Sequence, residues 1–334
     1  MNPGTFSVGK SYPISAKAAT NNPLYQTARI FLNPSSYEFD IIDHGVYYVR
    51  LHFYPYMIGK ANVVANISFN VSVTNSTLLS EFSAKQTNNL PVIEEFLVTI
   101  FESKFSINFI PEAKSLAFVN AIEVFLFAPN LKFLLIDIPV VSGRGISRNY
   151  SGDGPDVLHT LHRINVGGPL HNDSLWRTWI PDDPYVPDLR YGKNCPAFKG
   201  ALRYNVLDAS KDSASDLVYS TCKELSIETG VITWQLDVSK STIHMLRLHF
   251  CDIVSTTAAV AKFDLTLYEF YAGEIYATDG NQVERLDAPF YYDFLIESDA
   301  LGLAIVTITP RADSKSKNAY LNGIEVFELT KRLN

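Results

Sequence analysis

Apolar and polar positions alternate along residues 46–53: Tyr47, Val49, Leu51 and Phe53 fall on one face, Tyr48, Arg50 and His52 on the other. A period of two is that of a β-strand, whose successive side chains point to opposite sides. The pattern returns at 243–250, where Leu246, Leu248 and Phe250 share the apolar face and Arg-Leu-His-Phe is unchanged. A second matching pair follows each copy after about seventy residues: 117–125 and 319–327, which share Asn-x-Ile-Glu-Val-Phe. The apolar runs 105–110 and 301–309 precede them, separated by turn-rich residues after Pro111 and Pro310. A repeat of about 200 residues is too long for a stacked array and predicts two copies of one domain fold. The repeated segments are short, rich in Val, Ile, Phe, Tyr and Leu, and bounded by turn residues, which predicts an all-β fold with strands packed as sandwiches. No run supplies the crossover helices that an α/β sheet needs. Residues 142–156 hold four glycines, a proline and several polar residues. They read as a linker between a domain over 1–141 and another over 157–334.

Composition narrows the class without choosing a function. Hydrophobic residues make up 47% of the 334 and charged residues 19%, as in folded globular proteins. Lys and Arg total 28 against 35 Asp and Glu, a balance that speaks against nucleic acid as a partner. The charge is uneven: residues 204–334 carry 11 basic and 19 acidic side chains, and the preceding 203 carry 17 and 16. The acidic second half is expected to attract a basic peptide and to repel a polyanion. The apolar stretch 124–141 is interrupted by Pro129, Lys132, Asp137 and Pro139, so no transmembrane helix is expected, nor is a signal peptide in the first twenty residues.

Several ordered motifs together resemble one known family. They are Thr27-Ala28-Arg29-Ile30-Phe31, Arg50-Leu51-His52-Phe53-Tyr54-Pro55, Ala117 to Val124, Asn165-Val166-Gly167-Gly168, Trp176-Arg177-Thr178-Trp179, Val218-Tyr219-Ser220-Thr221, Arg247 to Ile253 and Asn322 to Val326. The chain is similar, over nearly its whole length, to the tandem malectin-like ectodomains of plant receptor-like kinases, the FERONIA group. The resemblance implies two malectin-like β-sandwiches of jelly-roll type on the extracellular face of the plasma membrane, as part of a single-span receptor. It implies a rapid alkalinization factor peptide as ligand, a GPI-anchored LORELEI-like co-receptor, and pectin of the cell wall as a further partner. It also implies that the usual opening strand of the first domain is missing, and that Val166 stands where a Cys often precedes Gly-Gly. No kinase is expected within the chain: the Gly-rich loop, His-Arg-Asp and Asp-Phe-Gly are absent, and Asp293-Phe294 continues with Leu295.

Candidate chemistry is sparse. Arg50 and Arg247 recur at one strand position in both copies and are expected to serve the fold by pairing with Glu123 or Glu325 of the neighbouring repeated motif. Exposed aromatic faces stack on sugars, and Tyr54, Tyr56, Trp179 and Tyr185, in or near predicted loops, are the candidate ligand-binding residues. Five Asn-x-Ser/Thr sequons, at Asn66, Asn70, Asn75, Asn149 and Asn172, are candidate glycan acceptors in a secreted chain. Adjacent carboxylates such as Glu94-Glu95 and Asp182-Asp183 point to opposite sides of a strand and make no hydrolytic pair. His159, His162 and His171 lack metal-ligand spacing, so neither a metal, a cofactor nor an enzymatic activity is expected. Of Cys195, Cys222 and Cys251, an odd count leaves one unpaired within the chain, and Cys251 reads equally as a buried thiol or a bridge partner. The expectation is a non-enzymatic recognition module that senses a peptide, with a pectin-binding module as the alternative.

Overall fold

The structure is a computed structural model that describes residues 5–7, 11–15, 22–54, 67–73, 76–83, 90–129, 138–150, 157–205, 209–277 and 285–330. It divides into two compact units: Met1–Ile136 with Gly152–Thr160 and Leu329–Asn334, and Asp137–Ser151 with Leu161–Glu328.

The first unit is a sandwich. One layer runs Thr5–Ser7, Ser35–Asp40, Lys104–Pro111, Phe69–Val73, Ser76–Phe82, every pairing antiparallel. The other centres on Gly45–Phe53, flanked by Ala121–Pro129 and Val92–Ile100, and Val157–His159 extends it beyond Val92–Ile100. A small third sheet joins Ala117–Val119, Thr27–Phe31 and Ser11–Ser15. Alternation decides which side chains enter the core: Phe105, Ile107 and Phe109 are buried, whereas Lys104, Ser106 and Asn108 between them are more exposed. They meet Val49, Leu51 and Phe53 of the facing layer in one apolar cluster, where Phe118 stands edge-on to Phe53 at 5.8 Å. The strands Thr5–Ser7 and Ser11–Ser15 take edge positions.

The second unit repeats the plan. Ile232–Asp237, Leu303–Pro310, Lys262–Leu267 and Phe270–Tyr276 form one antiparallel layer. In the other, Ile243–Phe250 lies between Gly323–Leu329 and Phe290–Glu297. Leu246, Leu248 and Phe250 enter its core with Trp234, Phe263 and Val306. Tyr320–Leu321 pairs with Lys223–Leu225, as Ala117–Val119 pairs with Thr27–Phe31 in the first unit. Both units are thus sandwiches with the same repeated strands at their centres.

The expected linker over 142–156 is corrected in its first part. Gly145–Tyr150 is a strand, folded back on Ile138–Ser142, which runs parallel to Phe290–Glu297 of the second unit. Glycine and polar residues disguised a hairpin in which one strand bears mostly exposed side chains; residues 151–156 lie outside the described set. Cys195 and Cys222 are disulfide-bonded, and Cys251 is a buried free thiol.

His244, on Ile243–Phe250, is fully buried, and neither ring nitrogen has a hydrogen-bond partner. Burial pushes its pKa down to about 4; the Glu328 carboxylate and the Thr242 backbone oppose this, and His162 adds to it. The unfolded chain therefore binds more protons than the folded one between roughly pH 6.5 and 4, and stability falls as pH drops through that window. We expect His244 to cost about 2 kcal/mol between pH 7.5 and 5. Urea unfolding at the two pH values measures this, and His244→Leu should remove that share of the slope; an unchanged slope would refute the assignment.

Candidate binding sites

The repeated motif builds a buried polar cluster in each unit. In the first, the register sets Arg50 opposite both Glu95 and Glu123. Arg50 Nε donates to Glu95 Oε1 at 2.7 Å and its Nη1 to Glu123 Oε2 at 3.0 Å. His52 Nε2 lies 2.7 Å from Glu123 Oε1, and its Nδ1 lies 3.1 Å from the Tyr25 hydroxyl. The network fixes the tautomer: Nε2–H donates to the carboxylate, and Nδ1 accepts from the phenol. Burial lowers the His52 pKa although Glu123 pulls it up, so the ring is neutral.

The second unit keeps the hydroxyl, ring and carboxylate but changes the arginine. Tyr219 Oη donates to His249 Nδ1 at 2.8 Å, and His249 Nε2 lies 3.1 Å from Glu325 Oε2. Arg163 Nε donates to Glu325 Oε1 at 2.9 Å. Arg247 instead forms a two-pronged pair with Asp293, at 2.8 and 2.7 Å, with its guanidinium 4.0 Å from the Tyr291 ring centre. Strand register offers Arg247 both Asp293 and Glu325. The fork takes Asp293, whose two oxygens accept side by side, because Glu325 is held by Arg163 and His249. Thus Arg50 meets Glu123, and the expected ion pair of Arg247 with Glu325 is replaced.

An asparagine completes each copy. Asn120 Oδ1 accepts from Tyr54 N at 2.7 Å and its Nδ2 donates to the Thr27 carbonyl at 2.9 Å. Asn322 does the same with Cys251 N at 2.7 Å and the Thr221 carbonyl at 2.8 Å. These side chains tie the strand ends to the segments that carry Tyr25 and Tyr219; their atoms are spent on the fold, not presented to a ligand.

Two of the four candidate stacking residues are corrected. Trp179 is fully buried and donates its indole N–H to Asp173 Oδ2 at 3.0 Å. Tyr54 is buried against Tyr25, with ring centres 5.6 Å apart. Tyr185 is half-buried, edge-on to His162 at 5.5 Å, and Tyr56 lies outside the described residues. Trp176, which is not among those four candidates, is 74% exposed. Its signal was alternation: Arg177 and Trp179 share the buried side of one strand end, leaving Trp176 in the turn. Among the sequons, Asn149 and Asn172 are exposed and Asn70 is half-buried on Phe69–Val73, whereas Asn66 and Asn75 lie outside the described residues.

The first unit also holds a groove of about 440 Å³. Thr27, Ala28 and Arg29 form one wall, Tyr37 and Phe39 a second, and residues 119–122 the third. Tyr37 hydrogen-bonds Arg29, and burial raises its hydroxyl pKa against the pull of that guanidinium. One cation, two aromatic rings and backbone polar groups around an open concavity suit a sugar with an acidic substituent.

Residues 3–329 match the family model of the malectin-like domain. The chain belongs to the malectin-like family. This malectin-like chain is 32% identical over 348 residues to a probable receptor-like protein kinase of Arabidopsis thaliana, an alignment covering 98% of the chain and 41% of that protein. The chain therefore spans about two fifths of the length of that relative. Among solved structures, the extracellular domain of ANXUR1 from Arabidopsis thaliana superposes with a TM-score of 0.81 at 26% identity, covering 98% of this chain and 90% of that one. The plant peptide RALF23 in complex with FER and LLG2 matches with a TM-score of 0.78 at 27% identity, covering 96% of this chain and 88% of the matched one. The malectin-like match is to the extracellular, non-catalytic part of receptor-like kinases.

Proposed function

We propose that this chain is the ligand-sensing ectodomain of a receptor-like kinase at the plasma membrane, binding a rapid alkalinization factor peptide together with a GPI-anchored LORELEI-like co-receptor. The observation that carries this reading is the similarity, along 96% of the chain, to a protein solved with such a peptide and LLG2. The acidic balance of residues 204–334 agrees with a basic ligand. Signalling then needs no reaction in these residues: ligand and co-receptor bind one arrangement of the ectodomain better than others and shift its population.

A second reading, recognition of cell-wall pectin, is favoured by the Arg29, Tyr37 and Phe39 groove. The near-neutral balance of the first 203 residues tolerates a polyanion there better than the acidic remainder does. Salt and competition separate the two. Peptide affinity should fall as salt rises, survive an excess of de-esterified pectin oligomer, and be unchanged by Arg29→Ala. Saturable pectin binding lost in Arg29→Ala, with no peptide binding, would overturn the sensor reading in favour of the second.

A further inference from the structure

The hairpin around Trp176 separates its side chains into two sets. Asp173, Arg177 and Trp179 point inward: the Asp173 carboxylate accepts from Leu175 N at 2.9 Å, Arg177 N at 3.0 Å, Arg177 Nε at 2.6 Å and Trp179 Nε1 at 3.0 Å. Asn172, Trp176 and Thr178 are exposed. Asn172 and Thr178 are directly paired across the hairpin. The Thr178 hydroxyl donates to Asn172 Oδ1 at 2.9 Å, which turns the amide nitrogen away from that bond. Trp176 holds φ = 58°, a left-handed conformation costly for a bulky side chain, and the buried Asp173 network keeps it there. Trp176 is exposed four residues from a sequon asparagine that is exposed too, which leaves the indole face open to a sugar carried by Asn172.

We propose that Asn172 carries an N-linked glycan and that its first sugars lie on the Trp176 ring, whereas Asn70 stays unmodified. This rests on the extracellular reading above. In the transfer, Asn172 Nδ2 forms a bond to the anomeric carbon of a lipid-linked oligosaccharyl pyrophosphate. The carbon–oxygen bond to the pyrophosphate breaks, the pyrophosphate leaves with the electron pair, and the amide proton passes to a base. The C–H face of a pyranose then meets the electron-rich face of the indole. Asn70 differs at both ends of its amide: Nδ2 donates to Glu112 Oε1 at 2.5 Å, and Oδ1 accepts from Glu81 N at 2.7 Å. Its sequon hydroxyl, on Ser72, is buried within the sheet. A sugar there would consume one of the two amide hydrogens and crowd a paired strand.

Two measurements on the chain secreted from cultured cells test the proposal. Release of N-glycans in heavy-oxygen water, followed by peptide mapping, should convert Asn172 to labelled Asp and leave Asn70 as Asn. Unlabelled Asn172 or labelled Asn70 would overturn it. Trp179 and Trp234 are fully buried, so acrylamide quenching reports Trp176. Quenching should rise on deglycosylation, rise equally in Asn172→Gln, and not respond to deglycosylation in Trp176→Phe. Equal quenching with and without the glycan would refute the stacking. Absence of peptide binding would leave both readouts intact, so failure of the sensor reading and failure of this proposal are distinguishable.

Discussion

Glu325→Gln is expected to cost about 3–5 kcal/mol of folding stability, most of what a marginally stable domain has. The substitution takes the negative charge from the acceptor to which Arg163, with 3% of its side chain exposed, donates at 2.9 Å. The loss arises because both partners are already out of water; removing one leaves the desolvation cost of the other without the attraction that offsets it. The first unit is an internal control. Its carboxylate Glu123 is 41% exposed, so Glu123→Gln should cost only about 1 kcal/mol. Urea unfolding of the two variants checks the contrast, and equal losses would contradict it. Arg163→Met combined with Glu325→Gln should recover part of the single-variant loss, since the buried guanidinium is removed together with the carboxylate it faces. The same cluster sets an acid limit. Burial alone would raise the Glu325 pKa, but the His249 hydrogen bond and the Arg163 charge pull it from 4.5 down to about 2. A carboxylate depressed in this way contributes stability above its unfolded value, about 3 kcal/mol here, which is lost as pH falls from about 5 toward 2.

How far the sequence disclosed this cluster depends on what repetition can show. Arg50, His52 and Glu123, with Arg247, His249 and Glu325, stand out because they recur in identical strings, and the period of two assigns each to a face. Which arginine meets Glu325 was hidden, because Arg163 lies outside the repeated strings, on Val157–Asn165. The exchange follows from register and from acceptors in neighbouring strands, which no local pattern encodes. Trp179 was misread for a related reason. Tryptophan beside turn residues looks like a loop aromatic, yet its indole N–H finds a buried acceptor in Asp173, six residues earlier. The groove at Arg29 assembles residues from three separated segments and had no signature in any one of them.

Removing the disulfide is the second large perturbation. Cys195 and Cys222 are 27 residues apart, and closing a loop of that length lowers the entropy of the unfolded chain enough to stabilise the fold by roughly 3.5 kcal/mol. The enclosed segment contains the helix Asp216–Tyr219, whose Tyr219 donates to His249. The bond thus restrains the piece of chain that delivers the hydroxyl to the second cluster. We expect the double variant Cys195→Ala, Cys222→Ala to melt well below the oxidised protein, and Cys251→Ala, which breaks no cross-link, to lose about 1 kcal/mol. Calorimetric scans of the three proteins test this; melting of the double variant at the temperature of the oxidised protein would rule out the cross-link as a main source of stability.

Within each sandwich the repeated Arg, His and Glu side chains tie neighbouring strands together and are spent on the fold rather than on a ligand. The most direct test is a calorimetric titration of the glycosylated chain with a rapid alkalinization factor peptide, with and without a LORELEI-like protein, beside a de-esterified pectin oligomer. Saturable peptide binding, tightened by the co-receptor, is expected. Absence of peptide binding in the presence of the co-receptor, with saturable heat from pectin alone, would contradict it.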